Sequence, residues 1–351
     1  MENSHNLLEK ICDRHGITFF GVASLEKEPT FEHFKDWIKE DKHAEMRFLE
    51  RYQEFREDPS RLEPEFDKAI VLGFNYFLGD KYGSEKSISK SRTAQYARFA
   101  DYHKLLKKKS DLIIEDLKRE LSLSELPFRA LVDSAPVLER AIAVKSGKGF
   151  IGKNTVFISP DKGSFFLLFE ILTGLDLELS ETRKIDKDIR DKESGGCGSC
   201  KRCQVHCPTD ALSKEYVLDA RKCIAYYTIE HRGVIPLEYW QHLKLYYFGC
   251  DICQLVCPYN RNSKISSDIK VKVPDNLDLY DVALMGQADY EGWFGGTPMT
   301  RAKIGGLKRN ALIYLAVAND SRLDEVVERL NGYSELIDAT IAQIPEFRKL
   351  K

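Results

Sequence analysis

The chain lacks both a long apolar segment and a large excess of either charge. Among its 351 residues no run of about 18 apolar residues occurs, so no transmembrane helix is expected. The formal net charge of −2 excludes a global field that attracts nucleic acid or membrane, so such binding must come from a local patch. The first residues, MENSHNLLEK, match neither a basic-then-apolar signal pattern nor a twin-arginine export signal. A cytoplasmic protein is therefore expected.

Hydrophobic residues make up 43% of the chain, which is enough for sizeable cores, and the length predicts two or three domains. Apolar periodicity in the first part predicts helices and strands in alternation. The predicted helices are 5–15, 31–52, 102–121 and 136–146. The predicted strands are 17–24, 69–77 and 128–133, with two adjoining strands at 154–159 and 164–172. The pattern predicts an α+β fold that begins with a layered, mixed α/β domain over residues 1–185.

Within that domain a polar loop is predicted for 79–91. Two further segments follow the domain, and the charged segment 179–196, which ends in two glycines, is interpreted as the linker to them. Residues 186–265 contain most of the cysteines, and residues 266–351 end in two helical patterns, at about 305–318 and 322–345. The last segment is interpreted as a small HEAT-like helical unit, with a plain helical cap on the cysteine region as the alternative.

Nine cysteines occur in a chain expected to lie in a reducing compartment, and eight of them fall between Cys197 and Cys257. Such clustering points to metal or redox chemistry rather than to disulfides. The ninth, Cys12, lies alone in a predicted helix and is interpreted as an inert core thiol.

The first cysteine motif runs from Cys197 to Pro208 with the spacing C-x2-C-x2-C-x3-C-P. This is the spacing of bacterial ferredoxins, in which three thiolates hold one [4Fe–4S] cluster and the fourth ligates the other cluster. The second motif, from Cys250 to Pro258, repeats the C-x2-C-x3-C-P half and has Tyr247 where a further cysteine would stand.

In two-cluster ferredoxins the last cysteine of each motif ligates the cluster of the other motif. This crossing rule divides the eight cysteines into two complete sets. The first predicted set is Cys197, Cys200, Cys203 and Cys257, and the second is Cys207, Cys250, Cys253 and Cys223. The alternative is a pair of zinc sites, but zinc knuckles usually have two C-x2-C pairs separated by a longer loop. The spacing therefore predicts a ferredoxin-like module with two [4Fe–4S] clusters.

A glycine-rich stretch, Gly147 to Gly152, matches G-x-G-x-x-G. A nucleotide-binding turn needs a strand before these glycines and a helix after them, and the predicted order is reversed. The stretch is therefore interpreted as a turn that lets backbone approach a large flat cofactor, or simply as a flexible turn.

Several short stretches stand out beside the cysteine motifs. They are Tyr96-Ala97-Arg98, Asp101 to Lys104 (DYHK), Val132 to Arg140 (VDSAPVLER), Gly152 to Thr155 (GKNT), Cys223 with Tyr227 to Glu230 (YTIE), Gly296 to Pro298 (GTP) and Leu307 to Ala311 (LKRNA). Together with the cysteine motifs, these stretches make the chain resemble the epoxyqueuosine reductases along nearly its whole length. Phe99-Ala100 departs from the family pattern, which puts one minor cofactor or RNA contact in doubt.

The resemblance implies the reduction of epoxyqueuosine to queuosine at the wobble position of tRNA. It also implies a nitroreductase-like N-terminal domain, and a base-off cobalamin held between that domain and the cluster module. Asp133 matches the family's proton donor, and its alternative role is a helix cap. The candidate cofactor contacts are Arg56, Tyr96, Arg98, Asp133, Arg140, Lys153, Asn154, Thr155 and Glu230. Among them, Arg140 and Lys153 are candidates for the cobalamin phosphate or its amides, with ordinary surface ion pairing as the alternative.

A local basic patch on this near-neutral chain would suit the phosphates of an anticodon stem. The candidate tRNA contacts are Lys201, Arg202, Arg301, Lys303, Lys308 and Arg309, with a solvated face as the alternative. A monomer that takes electrons from an external donor is expected.

Two other functions remain open from the sequence. A reductive dehalogenase shares the cofactor types, but the absence of an export signal and the basic C-terminal segment argue against it. A plain electron carrier would leave about 175 N-terminal residues and Asp133 without a role.

Overall fold

In the computed structural model of the chain, residues 4–79, 92–180, 196–273 and 277–350 are described. The loop predicted for 79–91 and the linker predicted for 179–196 lie almost wholly outside them, as does the first predicted domain boundary. The first boundary therefore stays a prediction, and so does the second, between residues 265 and 266, although it lies within the described residues.

The described residues form short and medium-length helices around small sheets. The helices are α1 Ser4–Arg14, α2 Phe31–Lys39, α3 Gln53–Glu57, α4 Tyr102–Glu120, α5 Glu139–Lys145, α6 Arg202–Val205, α7 Ile224–Ile229, α8 Leu237–Trp240, α9 Ile252–Leu255, α10 Leu279–Leu284, α11 Gln287–Phe294, α12 Lys303–Ala318, α13 Leu323–Leu330 and α14 Glu335–Leu350. The strands are β1 Phe19–Ser24, β2 Lys68–Asn75, β3 Arg92–Thr93, β4 Phe128–Leu131, β5 Phe150–Ile151, β6 Phe157–Ile158, β7 Phe166–Thr173 and β8 Tyr246–Phe248. The predicted α+β class is confirmed, and the finer nitroreductase-like and HEAT-like descriptions stay predictions.

A four-stranded sheet with the order β1-β2-β7-β4 forms the centre of the N-terminal part, and every neighbouring pair is antiparallel. Strands β2 and β7 are apolar on both faces, which suits their central positions. Helices α1 and α4 pack on one face of the sheet and α5 packs on the other. The predicted helix 102–121 is confirmed, and it begins where the Asp101 carboxylate accepts a hydrogen bond from the His103 N–H.

Two sequence predictions for this part are wrong. The helix predicted for 31–52 ends at Lys39, because Asp41 and Ala44 take positive φ angles of 53° and 54°. The strands predicted at 154–159 and 164–172 do not pair with each other. Instead β6 pairs with β5, while β7 enters the central sheet between β2 and β4. The long apolar run of β7 is buried on both faces only in that central position.

The cysteine region and the C-terminal helices share one apolar core, to which Trp240, Phe248 and Leu312 belong. The structure has three helices where the sequence predicted a final two. The second predicted helix is interrupted after Leu330 by Gly332, whose φ is +78°. Strand β3 pairs in parallel with β8, and the Gln95 N–H donates to the Asp251 carboxylate at 2.8 Å. These contacts fix the cysteine region against the N-terminal part. No helix within the described ranges is long and apolar enough to cross a membrane.

Candidate functional site

The first predicted cysteine set faces a single cavity of about 230 Å³. Its walls include the four thiol-bearing residues Cys197, Cys200, Cys203 and Cys257. Three of these come from the first motif and one from the second, and the two motifs meet because helices α6 and α9 pack together. The structure thus brings this predicted set together, although the sequence separates its members by up to 60 residues.

The members of the second predicted set are also neighbours. The thiol of Cys253 lies in the electrostatic field of Cys223 and Cys207, and that of Cys250 in the field of Cys253 and Cys223. Burial raises the pKa of the Cys253 thiol well above its ordinary value, and neighbouring thiols add to the effect. Cys203 lies close enough to Cys253 to contribute, so the two sets adjoin. Ligation itself stays a prediction for all eight residues, and none of them forms a disulfide.

Residues from the GKNT stretch hold the cysteine loops in place. The Lys153 ammonium donates to the Gly198 carbonyl at 2.7 Å and pairs with Glu215 at 2.8 Å. The Asn154 amide donates to the Cys253 carbonyl at 3.3 Å. Lys153 is nearly fully buried, and its ammonium binds Gly198, which lies within the first cysteine motif. Its predicted role toward a cofactor stays a prediction, as does that of Asn154.

Asp133 lies two residues beyond the end of β4, on an exposed turn. Its φ of +52° places a non-glycine residue in the left-handed region, a strain that clusters at functional sites. The Tyr102 hydroxyl donates to its Oδ2 at 2.6 Å, and the Asp133 N–H donates to Oε1 of Glu139 at 2.8 Å. Because α5 begins only at Glu139, with Leu138 as its N-cap, Asp133 does not cap that helix. Its carboxyl group is instead exposed and held in place by the hydrogen bond from Tyr102.

We infer a concave surface beside Asp133, called the cleft below, from side chains that are both exposed and desolvated. Arg140 keeps exposed surface, yet surrounding protein lowers the pKa of its guanidinium by desolvation, a combination expected in a concave wall. Arg140 donates to the carbonyl of Thr155, a β-branched residue with a φ of +64°. Burial and the charge of Asp133 raise the pKa of Glu139 to about 8. Several groups in this wall are therefore available to a ligand of the cleft.

Tyr96 lies in the electrostatic field of Asp133, Glu230 and Arg301. Glu230 and Arg301 form a bidentate ion pair with N–O distances of 2.9 and 3.0 Å. Burial raises the pKa of the Tyr96 hydroxyl, and the charges of Asp133 and Asp251 raise it further. Tyr96 therefore lies between the acid of the β4–α5 turn and the segment that carries the second cysteine motif.

Two other predicted cofactor contacts are buried and engage the chain's own backbone. Arg56 donates to the carbonyls of Arg51 and Tyr52, and its guanidinium lies 5.5 Å from the centre of the Phe34 ring. The carbonyl of the buried Arg98 accepts two backbone hydrogen bonds, from residues 272 and 273. Direct contact of either residue with a cofactor stays a prediction.

The predicted tRNA patch is wrong at two of its six residues. Lys308 and Arg309 are each 1% exposed and cannot reach a phosphate. The Lys308 ammonium donates to the Ala283 carbonyl at the end of α10, and Arg309 binds backbone carbonyls near α7. The helix turns both side chains inward, where they fasten α12 to its neighbours. Lys201, Arg202, Arg301 and Lys303 are exposed, and their RNA contacts stay predictions.

Sequence reasoning missed three residues at the site, namely Tyr102, Glu139 and Glu170. Tyr102 and Glu139 appear in the quoted stretches but carry no signal that they meet Asp133. Glu170 did carry a signal, since it is a lone carboxylate in the otherwise apolar strand FLLFEILT. Its position in the structure is fully buried.

Comparisons with known proteins find two matching family models and a group of relatives. A family model described as "Epoxyqueuosine reductase QueG, DUF1730" matches residues 56–134, and one described as "4Fe-4S double cluster binding domain" matches residues 196–260. The epoxyqueuosine reductase of Pseudomonas aeruginosa is 34% identical over 308 residues, which cover 86% of this chain and 82% of the relative. That of Cyclobacterium marinum is 33% identical over 314 residues, covering 88% of this chain and 96% of the relative.

Solved structures show the same fold. Epoxyqueuosine reductase from Streptococcus thermophilus superposes with a TM-score of 0.85 at 23% identity, covering 99% of this chain and 90% of that one. An epoxyqueuosine reductase solved with an epoxyqueuosine-modified tRNA-Tyr stem loop superposes with a TM-score of 0.83 at 24% identity, covering 98% and 91%. From the sequence relatives, which align along most of its length, the chain belongs to the epoxyqueuosine reductase family.

Proposed function

We propose that this protein reduces epoxyqueuosine to queuosine at the wobble position of tRNA, using cobalamin supplied with electrons by two [4Fe–4S] clusters. The observation that carries the proposal is the exposed, hydrogen-bonded carboxyl group of Asp133, which lies near Tyr96, while Tyr96 in turn lies near Asp251 in the second cysteine motif. Membership in the epoxyqueuosine reductase family supports the same reaction. The proposal includes a monomeric, cytoplasmic enzyme with an external electron donor.

The eight clustered thiols fit two cubane clusters. In the proposal, Cys197, Cys200, Cys203 and Cys257 hold the first cluster, around the cavity that they line. The second set, Cys207, Cys223, Cys250 and Cys253, holds the other. Since Cys203 and Cys253 adjoin, clusters held by the two sets would lie close together and would supply electrons one at a time.

The chemistry of the residues beside Asp133 suits a polar cofactor. Arg140 and Tyr96 keep exposed surface although surrounding protein desolvates them. Arg140 offers donors for phosphate or amide oxygens, and Tyr96 and Glu230 offer further polar atoms. When bound there, cobalamin supplies the reducing chemistry that no side chain has.

The chain itself supplies the proton. Opening the epoxide and losing its oxygen as water consumes two electrons and two protons. The hydrogen bond from Tyr102 occupies Oδ2 of Asp133, and in the proposal Oδ1 protonates the departing oxygen. A general acid must lie within hydrogen-bond reach of that oxygen, and Asp133 lies on an exposed, strained turn that a bound substrate can reach.

The RNA is expected to bind across the mouth of the cleft with the modified base turned inward. Arg301 lies at this rim, 5.3 Å from the centre of the exposed Phe48 ring. With Lys303, Lys201 and Arg202 it offers cations to the phosphates of the anticodon stem. Part of the charge of Arg301 is already neutralised by Glu230.

An anaerobic assay on tRNA carrying epoxyqueuosine tests the proposal. The reduced, cobalamin-loaded protein should form queuosine, measured by mass spectrometry of the released nucleosides. Asp133→Asn should bind cobalamin and tRNA normally but turn over about 100-fold more slowly, as expected for a lost general acid. Asp161→Asn, in an exposed turn, serves as the matched control. Normal turnover by Asp133→Asn would remove its acid role, and the absence of queuosine from the parent protein would refute the function.

A further inference from the structure

One aromatic ring of the N-terminal part is exposed to solvent on a turn that packs against the cysteine region. Phe48 belongs to the short 3-10 turn Arg47–Glu50 and keeps 47% of its surface exposed. The preceding residues Ala44 and Met46 pack against the apolar core of the cysteine region and the C-terminal helices. A single exposed apolar side chain needs no explanation by itself, so the surroundings of Phe48 decide what its ring can bind.

Hydrogen bonds hold this turn in place. The buried His43 contacts Glu50 within the segment, with 2.7 Å between Nε2 and Oε1. The Glu45 N–H donates to the Tyr226 hydroxyl at 3.3 Å, and the Glu45 carboxylate lies 3.0 Å from Nδ1 of His231. Both of these partners lie in or just after α7. The ring of Phe48 is therefore presented by a fixed backbone, which reduces the entropy lost when a ligand binds it.

A cation with an available N–H group lies beside the ring. The Arg301 guanidinium is 5.3 Å from the centre of the Phe48 ring, within the range of a cation–π contact. Its Nε and Nη2 donate to the Glu230 carboxylate, whereas Nη1 has no partner among the described residues. The surface thus offers an apolar ring next to a charged donor. A nucleotide of single-stranded RNA has the complementary pair of features, namely a flat base and an anionic phosphate.

Contacts connect this ring and cation to Asp133. The turn that carries Arg301 packs against the turn that carries Tyr96. The Tyr96 ring lies 6.4 Å from the Tyr102 ring, measured between centres, and the Tyr102 hydroxyl donates to Asp133 at 2.6 Å. The charge of Asp133 also acts on Arg301. Asp133, Arg301 and Phe48 are therefore three exposed side chains of one neighbourhood.

We propose that Phe48 stacks on the base next to the modified nucleotide, while Nη1 of Arg301 binds a phosphate of the same RNA segment. The inference rests on the proposed function, in which the modified base turns out of the anticodon loop toward Asp133. A base that leaves the stack uncovers one face of each neighbouring base. An aromatic side chain can cover such a face whatever the base is, because every base has a π-face. Phe48 is thus a positioning residue that does not touch the reacting atoms.

Phe48→Leu tests the stacking, because leucine keeps an apolar side chain and loses the flat ring. Anaerobically loaded protein is titrated with an anticodon stem-loop that carries epoxyqueuosine. The variant should bind about tenfold more weakly, as expected for one lost base–aromatic stack, and Phe48→Trp should retain the parental affinity. Equal affinities of Phe48→Leu and the parent would overturn the proposal.

Tyr333→Leu is the matched control for this titration. Tyr333 is 46% exposed, and its ring centre lies 4.6 Å from the Lys308 ammonium, so it too is an exposed ring beside a cation. It lies in the loop between α13 and α14, away from the turn that carries Arg301. Tyr333→Leu should bind the stem-loop with parental affinity, and a loss equal to that of Phe48→Leu would overturn the assignment of the stacking to Phe48.

A double-mutant cycle between protein and RNA separates stacking from a structural role of Phe48 in its turn. In two further stem-loops, the nucleotide on one side or the other of epoxyqueuosine is abasic. If the missing base is the one that stacks, Phe48→Leu and the parent should bind that stem-loop equally well, since the two losses do not add. Losses that add for both stem-loops, in a parent that forms queuosine, would overturn this inference alone. Absence of queuosine would instead overturn the proposed function, and a measured coupling would still establish the RNA contact.

Discussion

Arg309 is expected to stabilise the fold rather than bind RNA, and Arg309→Met tests this. The guanidinium is buried in α12 and donates to the carbonyls of Tyr227 at 2.7 Å, His231 at 2.9 Å and Gly233 at 2.7 Å. It also donates twice to Oδ1 of Asn310. Burial lowers the pKa of Arg309 to about 9, so it is still charged at pH 7. Methionine keeps much of the length and loses every donor.

The size of the effect follows from the acceptors left behind. A buried acceptor that loses its partner costs roughly 1–3 kcal/mol, and three carbonyls of α7 and the following loop lose theirs. Removal of the buried charge itself recovers part of this loss. The free energy of unfolding should therefore fall by about 3–5 kcal/mol, a large part of the roughly 5–15 kcal/mol that holds a typical domain folded.

Urea unfolding of the anaerobically loaded protein, followed by circular dichroism, measures this loss. Lys303→Met is the matched control, because Lys303 is exposed on the same helix and should change stability by less than about 0.5 kcal/mol. In tRNA binding the order should be reversed. Lys303→Met should reduce the slope of log affinity against log salt concentration by about one, and Arg309→Met should leave that slope unchanged. A stability loss below about 1 kcal/mol for Arg309→Met, together with weaker tRNA binding, would refute the reasoning.

The remaining predictions concern the clusters, the RNA and Asp133. Cys223→Ser should lower the iron content of anaerobically purified protein from about eight to about four atoms per chain. Cys12→Ser, in the buried core of α1, is the control and should leave the iron content unchanged. Equal iron in both variants would reject Cys223 as a ligand. Arg301→Gln should weaken tRNA binding less than Lys303→Met, because Glu230 already neutralises part of its charge, and a larger effect would contradict the pairing. Tyr102→Phe should lower kcat about tenfold with unchanged tRNA affinity, since it frees the carboxyl group of Asp133; an altered affinity alone would contradict this role.

Local signals predicted the parts of the fold that depend on neighbouring residues. Helix α4 was predicted to within one residue of its last, because its apolar positions repeat at helical spacing. Strands β1, β2 and β4 followed from short apolar runs. The partner of each strand could not be predicted in the same way, and β7 was assigned to the wrong neighbour. Strand pairing depends on residues distant in sequence, so a correct strand does not reveal its position in a sheet.

Charge was the least reliable signal at the site. Lysine and arginine are usually exposed, so Lys308 and Arg309 were predicted to bind RNA, yet both side chains bind carbonyls inside the protein. The composition of the segment does not distinguish these cases, because the direction of a side chain follows from the packing of α12 against α7 and α10. The buried Glu170 was visible in the sequence as an anomaly, but its relation to Asp133 was not.

The sequence by itself determined the two cysteine motifs, their division by the ferredoxin rule and the resemblance to epoxyqueuosine reductases, because these depend on spacing along the chain. Only the tertiary structure decided which thiols face one cavity, which cations are exposed, and that Asp133, Tyr102 and Tyr96 lie together. The physical reason is that burial and electrostatic neighbours arise from contacts between distant segments. A carboxyl group holds or releases its proton according to those contacts, and a local motif contains none of them.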